Sequence, residues 1–253
     1  SYTHLKSQLE NVGLQPRSAS AVARETLAAL SLGQAVFFQG SLAPVLARAA
    51  AVALSGARWT EADVAADLKD NAAFRPVVAA AAAEDGTPAA LLLHGANRSC
   101  IDAYGADLVR LLAGRAAGAD AAPGLMVLGV LSEGFSAAPP DPVLTALGPI
   151  LHTDYLEWKQ GWKARPPRPG QANAFAWPHP DGPDEEALGY LLGQLQPTPN
   201  ELWRRNVLAA GVDLGEHADA FRQLFPEPDE TDPRLQRLLR NHGGGGSDVN
   251  AAG

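Results

Sequence analysis

A chain of 253 residues, 46% of them hydrophobic, is long enough to bury one large core, or a core domain with a smaller one beside it. Its formal net charge of −8 disfavours non-specific binding to nucleic acid or to an anionic membrane. The single cysteine, Cys100, excludes an internal disulfide and suits a reducing cytoplasm, and neither a signal peptide nor an apolar run of about 18 residues marks export or a membrane span.

The first segment, THLKSQLENV (3–12), suits a short helix. In SASAVARETLAALSLG (18–33) Ser18 or Ser20 is the expected cap, Val22, Leu27, Leu30 and Leu32 the apolar face, and Gly33 the stop. QAVFFQG (34–40) reads as a compact buried strand, and SLAPVLARAAAVALSG (41–56) as an alanine-rich helix that tolerates Pro44 in its first turn. Another helix is expected from Thr60, with Glu61 and Asp63 near the positive end of its dipole, resuming near residues 71–86. AALLLHG (89–95) is a second buried strand, SCIDAYGADLVRLLAGR (99–115) a helix and GLMVLGVLSEG (124–134) a third strand. DPVLTALGP (141–149) is a short helical turn and ILHTDYLEW (150–158) a fourth strand ending in a polar segment.

Continuous apolar strands alternating with helices predict an α/β fold with a parallel sheet covered on both faces. Ligands of such sheets bind beyond the carboxyl ends of the strands. Here those ends are Gly40, His94-Gly95, Ser132-Glu133 and Asp154. Residues 161–183 form a connector rich in proline and tryptophan, and residues 184–242 read as a bundle of short helices. In that bundle Thr198, Pro199 and Glu201 make a well-formed helix start. GGGGS (243–247) has the form of a linker or tag, and DVNAAG after it that of a scar or a fused peptide ligand.

Three stretches resemble the AAA+ ATPases, nearest the group of McrB-like and MoxR-like proteins. LAALSLGQAVFFQGSLAPVLARAAA is similar to the opening helix, strand, P-loop and helix. AALLLHGANRSCIDAYGADLVRLL is similar to the Walker B strand with its following x-G-x-N-R and helix, and GLMVLGVLSEGFSAAPPDPVLTAL to the sensor strand. The resemblance covers roughly residues 18–240. It implies a P-loop NTPase-like α/β core over 1–160 and a small all-α lid over 184–242.

The chemistry of that family is missing from these stretches. A P-loop cradles phosphate on backbone N–H groups and neutralises it with a lysine. Between Ser41 and Arg48 there is neither Lys nor Gly, and Pro44 removes one more N–H. Where the family's Walker B strand places acids for Mg²⁺ and water, this sequence has His94 and Gly95, and Mg²⁺ prefers hard oxygen donors. Gly40, Ser41, His94, Gly95 and Glu133 therefore outline a degenerate nucleotide site, with no catalytic residue, cofactor or metal expected. Asn97 and Arg98 still match the motif. They either cap the next helix and pair locally or, as the resemblance implies, Arg98 contacts a neighbouring subunit or a channelled substrate.

Two other readings stay open. LLLHGANRS (91–99) is similar to the His-Gly oxyanion strand of α/β-hydrolases, with Ser136 in GFSAA as nucleophile and His217 or His242 as base. Pro139, Pro140 and Pro142 oppose the helix that a nucleophile elbow requires. The basic run KARPPRP (163–169), with Arg165 and Arg168 among Trp158, Trp162 and Trp177, has the makings of a stacking surface for single-stranded nucleic acid. The same side chains would equally anchor a protein interface. The histidines are scattered, and the polar clusters at 152–154 and 179–186 read as a strand end with a capping Asp and an acidic helix start rather than metal sites. The expectation is a pseudo-ATPase scaffold with a protein partner, an active ATPase subunit or a peptide, in a defence- or chaperone-related assembly.

Overall fold

The computed structural model describes residues 2–31, 33–66, 68–70, 72, 75, 76, 79, 88–116, 124–134, 142–163 and 165–167. Over these residues the chain is an α/β protein built on one parallel sheet. Its elements are α1 (Tyr2–Asn11), α2 (Pro16–Ser31), β1 (Val36–Gln39), α3 (Ala43–Ser55), β2 (Trp59–Asp63) and β3 (Ala89–His94). There follow α4 (Ile101–Tyr104), α5 (Ala106–Ala116), β4 (Leu125–Leu131), α6 (Pro142–Leu147), β5 (Ile150–His152) and a 3₁₀ turn at Thr153–Tyr155.

The strand order is β2-β3-β4-β1-β5, every pairing parallel. All four residues of β1 and all seven of β4 are buried, as strands covered on both faces must be. Alternation divides them between two cores. Val36, Phe38, Ala90, Leu92, Met126 and Leu128 meet α1, α2 and α3, whereas Phe37, Leu91, Leu93, Leu125 and Val127 meet α4, α5 and α6. Phe37 and Phe38 are both fully buried, on opposite faces, and each is worth about 2–3 kcal/mol of hydrophobic stabilisation. Gly129 stands opposite Phe37 in the register, and a Cβ there would run into the Phe37 ring. The missing side chain is the space that the ring fills.

The run of small residues in α3 lets it press closely on the sheet, with ten of its thirteen residues buried. Pro44 lies in its first turn, where a missing N–H costs little. Its other end closes on Gly56, whose N–H donates to Val52 O at φ 64°.

Several sequence expectations need correction. The helix expected from Thr60 is instead the edge strand β2, paired in parallel with β3. Its polar residues face outward, so a half-exposed edge imitates a capped, acidic helix start. α2 begins at Pro16, ahead of both expected caps; Ser18 instead accepts the Glu157 N–H on its Oγ at 3.0 Å. The helix of 99–115 is two, α4 and α5, divided at Gly105. The fourth expected strand is short, turning into 3₁₀ geometry at Thr153. The expected lid at 184–242 and most of the connector lie outside the described residues.

Candidate functional site

β1 and β4 are neighbours, yet β1 leads into α3 on one face of the sheet and β4 leads into α6 on the other. Chain segments that part to opposite faces leave a crevice at the carboxyl ends of their strands. A cleft of about 340 Å³ lies there, lined by Gly40, Ser41, Pro44, Asp63, His94, Gly95, Arg98, Val130, Leu131, Ser132 and Glu133. The five residues expected to outline a degenerate nucleotide site, Gly40, Ser41, His94, Gly95 and Glu133, thus share one cavity.

The turn after β1 is tight. Gly40 adopts φ 117°, and a side chain there would collide with Thr153 and Asp154 beyond β5. Ser41 donates its N–H to Asp154 Oδ1 at 3.0 Å. Asp154 was visible in the sequence as a strand-end capping residue, but its cap belongs to the turn after β1, 113 residues away.

Across the cleft, Asn97 and Arg98 hold the end of β4. Asn97 Nδ2 donates to Ser132 O at 3.0 Å, and Ser132 N donates to Asn97 Oδ1 at 2.7 Å. Arg98 Nε donates to Ser132 Oγ at 2.9 Å, and the arginine stem folds over Gly95, where no Cβ obstructs it. These contacts are local pairings between the two loop ends. The N-cap of α4 is Cys100, with no side-chain cap, and Asn97 clamps β3's loop to β4's loop instead. Beneath them the buried Tyr104 hydroxyl donates to Ala96 O at 2.8 Å, and its burial raises the phenol's pKa.

Beside the cleft, Arg48 grips Glu61 through two hydrogen bonds, at 2.7 and 3.0 Å. The hydrogen bond from Arg48 holds the Glu61 carboxyl below its ordinary pKa, against the opposing effect of its partial burial. His94 Nε2 lies 3.7 Å from Glu61 Oε1. Glu61 and Asp63 both project from β2, the strand that the sequence reading took for a helix. A period-2 reading of WTEAD would have brought them to the sheet edge beside His94.

Trp158 and Trp162 are elsewhere. Residues 157–159 run back along 13–15: Gln15 N donates to Glu157 O at 2.9 Å, and Lys159 N to Gly13 O at 2.9 Å. Trp158 donates its indole N–H to Thr153 O at 3.0 Å, and Trp162 packs on Gly13 with the two ring centroids 5.8 Å apart. Both indoles pack against the first core. Both are half-buried. Arg165 is exposed beyond them, while Ser136, Arg168, Trp177, His217 and His242 lie outside the described residues.

Among the described residues, no group of three or more His, Cys, Asp or Glu side chains could hold a metal ion, and no helix is long and apolar enough to cross a membrane. The fold and cleft define a parallel, doubly wound α/β protein with its candidate site at a topological switch point.

No family model matches the chain, and no solved structure matches it. It is similar to Druantia protein DruC of Escherichia coli (strain UMEA 4076-1), with 29% identity over 212 residues, covering 79% of this chain and 32% of that protein. The chain thus spans about a third of the length of that curated relative.

Proposed function

We propose that this chain is a non-catalytic AAA+-like module, a pseudo-ATPase that serves as a protein-interaction or scaffold element of a larger assembly. The observation that carries the reading is the content of the switch-point cleft. Strand, glycine turn and helix follow one another as in a phosphate-binding site, but the turn offers no lysine. β3 ends in an imidazole and a glycine where Mg²⁺ would need carboxylate oxygens. Phosphoryl transfer rests on positioning and charge neutralisation, so losing the cation and the metal ligands together removes most of what such a site supplies.

The helical lid over 184–242 belongs to this reading. So does a protein partner, an active ATPase subunit or a peptide. The assembly in this reading is defence- or chaperone-related.

Melting curves with and without millimolar Mg-ATP and Mg-ADP, together with an assay for released phosphate, test the reading. The expected result is an unchanged Tm and no release. A ligand at a hundred times its Kd stabilises a fold by about 2.7 kcal/mol, so a nucleotide bound in the micromolar range would raise Tm by degrees and overturn it.

A further inference from the structure

The carboxyl ends of β2, β3 and β4 form a row at the cleft, because Asp63 stands opposite His94 and His94 opposite Val130. All three residues line the cavity. Opposite charges stand at the two ends of this row. At the β2 end is the exposed carboxylate of Asp63, which has no hydrogen bond or ion pair among the described residues. Glu61, the other acid of that strand, is already neutralised by Arg48. At the β4 end is the guanidinium of Arg98, which lines the same cavity.

Arg98 is held in place. Its stem lies over Gly95, which adopts φ 69° and has no side chain to displace it. Its Nε donates to Ser132 Oγ at 2.9 Å, and Ser132 is in turn fixed by the paired hydrogen bonds of Asn97. That anchoring leaves the two Nη groups, whose N–H bonds form a fork that matches a carboxylate. Strands two places apart are separated by about 10 Å. A carboxylate on the Nη fork and an ammonium on Asp63 fill such a span when one carbon atom separates them, as in an α-amino acid. The cavity, about 340 Å³, is at the small end of ligand pockets.

We propose that the cleft binds a small zwitterion of the α-amino acid class, with its carboxylate on Arg98 and its ammonium on Asp63. This inference rests on the pseudo-ATPase reading of the cleft and names the ligand class that the site takes in place of a nucleotide. The lining carries two carboxylates, Asp63 and Glu133, against one arginine. A polyphosphate adds negative charge to that balance, whereas a zwitterion adds none. A plain carboxylate leaves Asp63 unmatched, and a plain amine leaves Arg98 unmatched.

Calorimetric titration of the full chain with each of the standard L-amino acids tests this, with propionate, isopropylamine and inorganic phosphate as controls. We expect at least one amino acid to bind, about tenfold or more tighter than propionate or isopropylamine, each of which engages one end only. Arg98→Gln and Asp63→Asn should each weaken that binding about tenfold, since each removes one charged end. Arg110→Gln, on the exposed side of α5, should leave it unchanged. The proposal is overturned if no amino acid binds, if propionate or phosphate binds as tightly as the best amino acid, or if either cleft variant binds like the parent. Should Arg98→Gln not fold, Asp63→Asn decides: weaker binding supports the site and unchanged binding overturns it. Tight Mg-ATP binding by the parent defeats the pseudo-ATPase reading whatever the amino acids do, whereas a parent inert to nucleotides and amino acids alike defeats the zwitterion site alone.

Discussion

Asn97 and Ser132 exchange two hydrogen bonds, so that one side-chain amide pairs with the backbone of a strand end as a neighbouring strand would. β3 and β4 have just stopped pairing at that point, and Asn97 extends their contact by one step into the cleft wall. Asn97 is 5% exposed, so water does not readily replace it.

Asn97→Ala therefore leaves the half-buried N–H and C=O of Ser132 without their partner. We expect a loss of about 1–3 kcal/mol, less than stranding two fully buried polar groups would cost. The midpoint of urea unfolding should fall with an unchanged slope. A loss below a few tenths of a kcal/mol would mean that the end of β4 is held by other contacts.

The Arg48–Glu61 pair stitches α3 to the edge strand β2. Because Glu61 ionises more readily in the folded protein, its stabilising effect is complete above the ordinary carboxylate range and fades as pH falls through it. Arg48 is 47% exposed and Glu61 31%, so solvent screening keeps the whole effect below about 1 kcal/mol. Glu61→Gln should cost that little at neutral pH and less still in acid. Unfolding curves at neutral pH and at pH 3 would check it, and a larger difference in acid than at neutrality would contradict the sign.

The central sheet was legible because β1, β3 and β4 are uninterrupted apolar runs, the pattern of strands covered on both faces. β2 was not, because an edge strand with only Trp59 and Ala62 partly buried carries no such signal, and Thr-Glu-Ala-Asp imitates a helix cap. The cleft could be placed from strand ends alone, which is why Gly40, His94 and Glu133 were found together. The seating of Asp154 on Ser41 could not, since it depends on β5 lying beside β1, and no local pattern fixes strand order. The packing of the tryptophans was hidden for a related reason. Near a basic, proline-rich run an indole looks like an anchor for a partner, and only the return of 157–159 along 13–15 brings Trp158 and Trp162 against the first core.

His152 ends β5 beside Tyr155, the rings 5.9 Å apart and edge to face. Burial lowers the imidazole's pKa below its ordinary 6.5, and the nearby charge of Asp154 only partly opposes this. The unfolded chain then takes up the proton more readily than the folded one, so stability holds above pH 6.5 and declines as pH falls from there toward the lower folded pKa. The slope from one such group cannot exceed about 1.4 kcal/mol per pH unit. His152→Gln should flatten the fall in Tm between about pH 7 and 5. An equally steep fall in the variant would assign the acid sensitivity to other groups.

Trp158 decides between fold and partner as the purpose of the strap that follows β5. Its ring packs against the first core, its N–H donates to Thr153 O, and its backbone bridges Leu14. Trp158→Ala should therefore lower stability by about 2–4 kcal/mol, reaching below the usual range of about 3–5 for removing a large buried aromatic, because the ring is only partly buried. The same substitution frees the N-terminal helices from the end of β5, so amide exchange in 3–15 should accelerate more than in β4. A variant that keeps its stability and its exchange pattern would return Trp158 to the surface, as a side chain available to a partner.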